Sequence, residues 1–197
     1  MPIITLPDES ELIFKQDVTG QEVASTIGKN LADDAVAIRI GSEVWDLTRN
    51  IINDSLIEII TKNTPDGLEL LRHDAAHVLA EAVKELWPDT QVTIGPAIED
   101  GFYYDFARSE PFTSQDLVVI EERMKEIVDR NEVIQREVWK RNTAIEFFRG
   151  IGEEYKAQII EDIPESETLT LYRQGNFIDL CRGPHLPSTG KLGKAFH

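Results

Sequence analysis

The five residues Asn63-Thr64-Pro65-Asp66-Gly67 divide this chain into two stretches with different hydrophobic periods. Before them, apolar residues come in short runs between turn formers, the pattern of short strands. After them, Leu71, Ala75, Val78, Ala82 and Leu86 recur at the spacing of one helix face. Thr64 stands where an N-cap belongs and Pro65 at the first helical position, so the break predicts a helix from Pro65 to about Leu86, before Trp87-Pro88.

The first stretch, residues 1–61, reads as strand, strand, helix and further strands. Ile3-Ile4-Thr5-Leu6 and Glu11-Leu12-Ile13-Phe14 are extended runs separated by the turn formers Pro7-Asp8-Glu9-Ser10. Thr19-Gly20-Gln21-Glu22 is a capping-box pattern, with Val23, Ile27 and Leu31 following at helical spacing. Val36 to Ile40 and Glu43 to Leu47 flank Gly41-Ser42, a two-residue hairpin signal, and Ser55 to Ile60 is a last strand. This order predicts a small β-grasp, ubiquitin-like sheet wrapped on one helix.

The second stretch, residues 62–197, predicts a larger α+β domain with an antiparallel sheet and helices. After the first helix come an extended Gln91 to Ile94 and a strand Gly101 to Phe106, with Asp100-Gly101 as turn. A helix from near Ser114 presents Leu117, Ile120, Met124 and Ile127, and Glu132 to Trp139 is extended. Residues 143–160 are helical with a break at Gly150-Ile151-Gly152, and a hairpin joins Thr168–Tyr172 to Phe177–Cys181.

Composition limits what such a chain can do. It carries 36 acidic and 20 basic side chains, a formal charge of −16. With 41% hydrophobic residues it has enough apolar side chains to fold, unlike a disordered chain. No apolar run is long enough to span a bilayer, and the N-terminus lacks the basic and apolar regions of a secretory signal. One cysteine, Cys181, excludes an internal disulfide framework and fits a reducing, cytoplasmic setting. The acidity argues against strong binding of nucleic acid by these residues alone, because phosphate contacts need clustered Lys and Arg.

The chemistry concentrates in two compact motifs. His73-Asp74-Ala75-Ala76-His77 places two imidazoles at i and i+4 on one helix face. Cys181-Arg182-Gly183-Pro184-His185 places a thiol and an imidazole four apart, just past a strand. His73, His77, Cys181 and His185 are all good zinc ligands. Four protein ligands would close the shell and make the metal structural; a catalytic ion needs one of them to stand aside. The alternative is a metal-free polar pocket in which imidazoles place water and hydroxyl groups directly.

These motifs, with Asp100-Gly101-Phe102-Tyr103-Tyr104-Asp105-Phe106 and Asp179-Leu180 ahead of Cys181, resemble the editing domain of bacterial threonyl-tRNA synthetases, and residues 1–61 resemble the TGS domain of the same family. The resemblance implies an N-terminal fragment, truncated at its C-terminal end, without the domain that ligates threonine to tRNA. ATP and zinc would then belong only to that absent ligase domain, and a homodimer would form through the absent domains. It implies an aminoacyl-tRNA ester hydrolase with no required cofactor, clearing serine from the threonine tRNA at the 3′-terminal aminoacyl-adenosine.

In that reading His73, Lys156 and Asp179 carry the chemistry, His73 and Lys156 at the water and the ribose hydroxyl. Tyr104, His77, Cys181 and His185 shape the substrate pocket; backbone near Gly95-Pro96 could meet the adenine. Arg182, Lys191 and Lys194 would face acceptor phosphates or solvent. Two rival readings are a trans-acting alanyl-tRNA deacylase-like module and a zinc-stabilised binding module without catalysis, whose ligands would be His73, His77, Cys181 and His185.

Overall fold

The computed structural model describes residues 1–196; His197, where the predicted second domain ends, lies outside the described residues. The structure is a mixed α+β chain of several small sheets and helices. It forms two compact units, one of residues Met1–Leu71 with Gly183–Pro187, the other of Arg72–Arg182 with the residues from Ser188 onward.

The first unit contains β1 (Ile3–Thr5), β2 (Glu11–Ile13), β3 (Val18–Thr19), α1 (Gly20–Ile27) and α2 (Lys29–Asp34). It continues through β4 (Ala35–Ile40), β5 (Glu43–Asp46), β6 (Asn50–Ile51) and β7 (Ser55–Thr61). Five strands form one sheet in the order β2-β1-β7-β4-β5, with β1 and β7 parallel and the other neighbours antiparallel. The short pair β3–β6, which the sequence pattern did not predict, lies outside that sheet.

Strand alternation buries Ile4, Ile38 and Ile57 on the side where Val23 and Ala24 of α1 pack. Thr19 caps α1 with the predicted box: its side chain accepts from Glu22 N–H, and the Glu22 carboxylate accepts from Thr19 N–H at 2.8 Å. The helix start sits hard against the sheet, because a Cβ on Gly20 would lie 2.4 Å from Ile38 Cγ2.

The predicted Val23/Ile27/Leu31 stripe does not form as one helix. Gly28 adopts an extended backbone that separates α1 from α2, leaving Ile27 exposed while Ala24 and Ala32 supply the buried contacts.

The long helix α3 (Pro65–Leu86) has the predicted bounds, and Thr64 Oγ1 accepts from Gly67 N–H at 3.1 Å. Within the second unit this helix is buried on two sides. Val78, Ala82 and Val83 meet Ile120, Met124 and Ile127 of helix α4 (Ser114–Arg130). Ala76 and Ala80 instead meet Val92 and Tyr104. Alanines make this close approach cheap, since they lose no side-chain freedom on burial.

Between α3 and α4 lie four two-residue strands, β8 (Gln91–Val92), β9 (Ala97–Ile98), β10 (Gly101–Phe102) and β11 (Phe106–Ala107). The predicted single strand over Gly101–Phe106 is therefore split: β10 pairs with β9, and β11 with β8. Gly101 pairs with Ile98, so the turn is Glu99-Asp100 rather than Asp100-Gly101.

Helix α4 starts behind a Thr113–Asp116 capping box and turns Leu117 to solvent, whereas Ile120, Met124 and Ile127 face inward as predicted. Next come β12 (Ile134–Val138), α5 (Arg141–Gly150), α6 (Glu154–Asp162), β13 (Thr170–Gln174) and β14 (Phe177–Leu180). The strands form an antiparallel sheet in the order β12-β13-β14. Helices α5 and α6 cover it with Ala144, Phe148, Ala157 and Ile160 over Leu171 and Ile178.

Two substitutions separate core from surface here. Phe148→Ala removes a fully buried ring and should destabilise the protein by about 3–5 kcal/mol, whereas Leu117→Ala should change stability by under about 0.5 kcal/mol. Urea unfolding monitored by circular dichroism measures both. Similar losses for the two would contradict this placement of the core.

Candidate functional site

Site residues in the second unit come from four places in the sequence. Helix α3 brings His73 and His77, α6 brings Lys156, and Tyr104 comes from the segment between β10 and β11. Strand β14 supplies Asp179, with Cys181 immediately beyond its end. A helix repeat of about 3.6 residues puts His73 and His77 one above the other, and their ring centroids are 4.8 Å apart. Strand alternation puts Asp179 and Cys181 on one side of the hairpin.

The back of the site is a buried network centred on Asp179. One carboxylate oxygen, Oδ1, pairs with the Lys156 ammonium and accepts from Leu180 N–H at 2.8 Å. The other, Oδ2, accepts from the Tyr104 hydroxyl at 2.7 Å and faces His77 Nδ1 at 3.1 Å. Lys156 also donates to the Tyr104 oxygen at 3.0 Å. Lys156 and Asp179 are each about 1% exposed, so neither is the solvated side chain its residue type suggests.

Burial alone would push the Asp179 carboxyl up. The Lys156 charge and the His77 hydrogen bond outweigh it and hold that carboxyl well below the usual carboxylate range. Tyr104 moves the other way: burial first, then the neighbouring Asp179 charge, raises its hydroxyl well above its ordinary value. An ionised Asp179 only accepts, so His77 carries its proton on Nδ1 and a neutral His77 has its lone pair on Nε2. A carboxylate has about four acceptor positions, and protein donors face Asp179 at four.

The front of the site is more open. His73 and Cys181 are half-buried, with His73 Nε2 3.2 Å from Cys181 Sγ. His73, His77 and Cys181 offer ligand atoms within 4.8 Å of one another. Two imidazoles and a thiol are a donor set that zinc accepts, so these residues fit that ion. His185 lies in the Gly183–Pro187 segment of the first unit; its side chain is buried and its N–H donates to Asp46 Oδ1 at 2.8 Å.

Two supporting contacts go beyond the sequence reading. Thr170 Oγ1 donates to the Cys181 carbonyl at 2.6 Å and, with the Cys181 N–H bond to Thr170 O at 3.2 Å, fixes the strand end that bears the thiol. Gly95 leaves room for Tyr104: a Cβ there would lie 2.1 Å from the ring. Local sequence patterns carry no signal for Thr170, and the sequence reading gives Gly95-Pro96 only a backbone role toward the adenine. Of the three basic residues considered for phosphates, Arg182 and Lys194 bond to Glu167 and Asp129, each at 2.7 Å. Lys191 lies in the 3-10 turn Thr189–Leu192.

Comparison with known proteins adds a separate finding. Residues 169–197 match the family described as the threonyl and alanyl tRNA synthetase second additional domain. The whole chain is similar to proteins named threonine--tRNA ligase. That of Paramagnetospirillum magneticum is 62% identical over 197 residues, covering 100% of this chain and 31% of the relative. That of Parvibaculum lavamentivorans is 60% identical over 193 residues, 98% and 30%. That of Halorhodospira halophila is 55% identical over 196 residues, 100% and 30%. The chain thus spans about 30% of the length of the curated relatives it matches.

Breaking the buried pair from one side strands a charge. Asp179→Asn should cost about 3–5 kcal/mol at neutral pH, and Lys156→Met with Asp179→Leu together should recover most of it. Because the folded Asp179 carboxyl titrates below its unfolded value, its contribution is present above about pH 4 and lost as the pH falls further. Urea unfolding at pH 3 and pH 7 should therefore show a smaller penalty for Asp179→Asn in acid, and an equal penalty at both would contradict the ion pair.

Proposed function

We propose that the second unit is the editing part of a threonyl-tRNA synthetase, hydrolysing the ester that links serine to the threonine tRNA. The observation that carries this reading is the convergence of His73 and Cys181 at 3.2 Å, over a buried Lys156–Asp179–Tyr104–His77 network, in a chain similar throughout to threonine--tRNA ligases. On this reading residues 62–197 form the editing domain, and residues 1–61, whose five-stranded mixed sheet with a helix supports a β-grasp, form a TGS domain.

The need for such a site is energetic. Serine lacks only the methyl that threonine has, and one methyl discriminates by about 1–3 kcal/mol. A second site that admits serine and excludes threonine multiplies that selectivity.

Hydrolysis adds water to the ester carbonyl, breaks its bond to the ribose oxygen and returns a proton to that oxygen. His73, on the open side, orients the water and takes its proton. Lys156 uses two of its three N–H donors on Asp179 and Tyr104, leaving the third and its charge for the developing oxyanion and the ribose hydroxyl. Asp179 works by position, holding Lys156 charged and His77 in one tautomer. Tyr104, His77, Cys181 and His185 are assigned to the substrate pocket, His185 from its place in the cysteine motif alone.

The partner is the 3′-terminal aminoacyl-adenosine of the threonine tRNA. With a charge of −16, most of the grip on the tRNA falls to the rest of a full-length synthetase, cytoplasmic and homodimeric through its other domains. ATP would serve only that ligase part.

The zinc-stabilised module is kept as a second reading, because His73, His77 and Cys181 fit the ion. Bound there, zinc would supply a Lewis acid or a structural tie.

The test is deacylation of seryl- and threonyl-tRNA of the threonine acceptor by this chain, with His73→Ala and Lys156→Ala alongside. Rapid loss of serine alone, reduced about 100-fold or more by either change, is the expected result. Equal loss of both amino acids would contradict a second sieve. For the metal, elemental analysis of purified protein should find well under one zinc per chain, and a chelator should leave both melting temperature and deacylation unchanged. Stoichiometric zinc whose removal unfolds the protein would favour the second reading.

A further inference from the structure

One turn beyond His77, at the same i+4 step that separates His73 from His77, stands Glu81. It is about 2% exposed. Its Oε2 accepts from Gln174 Nε2 at 2.6 Å, and Gln174, itself buried, ends β13 and pairs with Phe177 at the start of β14. From α4, Arg130 Nη1 comes within 3.7 Å of Glu81 Oε1, but that guanidinium is already bonded to Glu85 at 2.5 and 2.9 Å. Glu85, one turn further along α3, and Glu132, between α4 and β12, add negative charge. Helix, hairpin and α4 therefore meet at one buried carboxyl.

We propose that Glu81 is a positioning residue for the His73–His77 pair, and that the junction it makes between α3 and strand β13 is more stable while it carries a proton. Ionised, it is buried with one neutral amide donor, an arginine committed elsewhere and two carboxylates nearby. Protonated, it keeps the Gln174 bond without a buried charge. Burial first, then Glu132 and Glu85, raise its carboxyl to about 7, against the pull of Gln174 and Arg130, which places the change near neutrality. The same helix carries both imidazoles, so a loosened α3–β13 contact moves them relative to Asp179 and Cys181. The rate consequence rests on the hydrolytic reading above; the clamp does not.

Wild type and Glu81→Gln are compared from pH 6 to 8.5 by thermal unfolding and by single-turnover deacylation of seryl-tRNA. A carboxyl raised in the folded state stabilises below its unfolded value, and that stability is lost as the pH rises through the folded one. The expected result is a higher midpoint for Glu81→Gln, by a margin that grows by about 2–4 °C or more between pH 6 and pH 8.5. The deacylation rate of Glu81→Gln relative to wild type should climb roughly threefold or more over the same range. Should Glu81→Gln fail to fold, Glu81→Met, which also removes the titrating group, takes its place.

A midpoint offset that stays constant with pH overturns the proposal. Diverging midpoints with a flat rate ratio overturn it too, because Glu81 then titrates without placing the imidazoles. If neither protein deacylates at any pH, the hydrolytic reading fails and the His77 ring proton resonances decide. A difference between the two proteins at pH 8.5 that vanishes at pH 6 supports the clamp, and no difference overturns it.

Discussion

The ion pair between Lys156 and Asp179 is the constraint on which the rest of the site depends. Neither charge reaches water, so each is tolerable only while the other is present. The pair ties α6 to β14 and gives Tyr104 and His77 a fixed acceptor. A pair of well-packed apolar residues would serve stability as well or better.

Around that pair the site is graded. Asp179, Lys156 and Tyr104 form a dry floor, and His77 joins the floor to His73 and Cys181, which are half-open to solvent. A low-dielectric floor strengthens the Lys156 field at any group bound above it. The open front leaves His73 and Cys181 within reach of water. The same helix that presents the two imidazoles is packed on opposite sides by α4 and by Val92 and Tyr104, with its alanines at the closest approach. Glu81, one turn beyond His77, sits at the junction of α3 with β13 and α4.

Local signals made much of the fold legible. Thr19, Thr64 and the hairpin at Gly41-Ser42 act within a few residues, and the structure has each as the pattern predicts. What failed depended on packing. Gly28 interrupts a helix whose apolar spacing continues past it, Leu117 continues a stripe that its neighbours do not cover, and Gly101–Phe106 splits because its halves pair with different strands. Periodicity reports which residues share a face, not whether another element arrives to bury it.

The sequence by itself determined which groups are available: the paired histidines one helical turn apart, and the carboxylate and thiol two residues apart at a strand end. Those spacings follow from helix and strand geometry, which acts over a few bonds. Only the tertiary structure decided that Lys156 on α6 is buried against Asp179, that Tyr104 spans the two, and that Gln174 meets Glu81. These contacts join residues 23, 75 and 93 positions apart, where chain connectivity says nothing and packing with desolvation sets the partner.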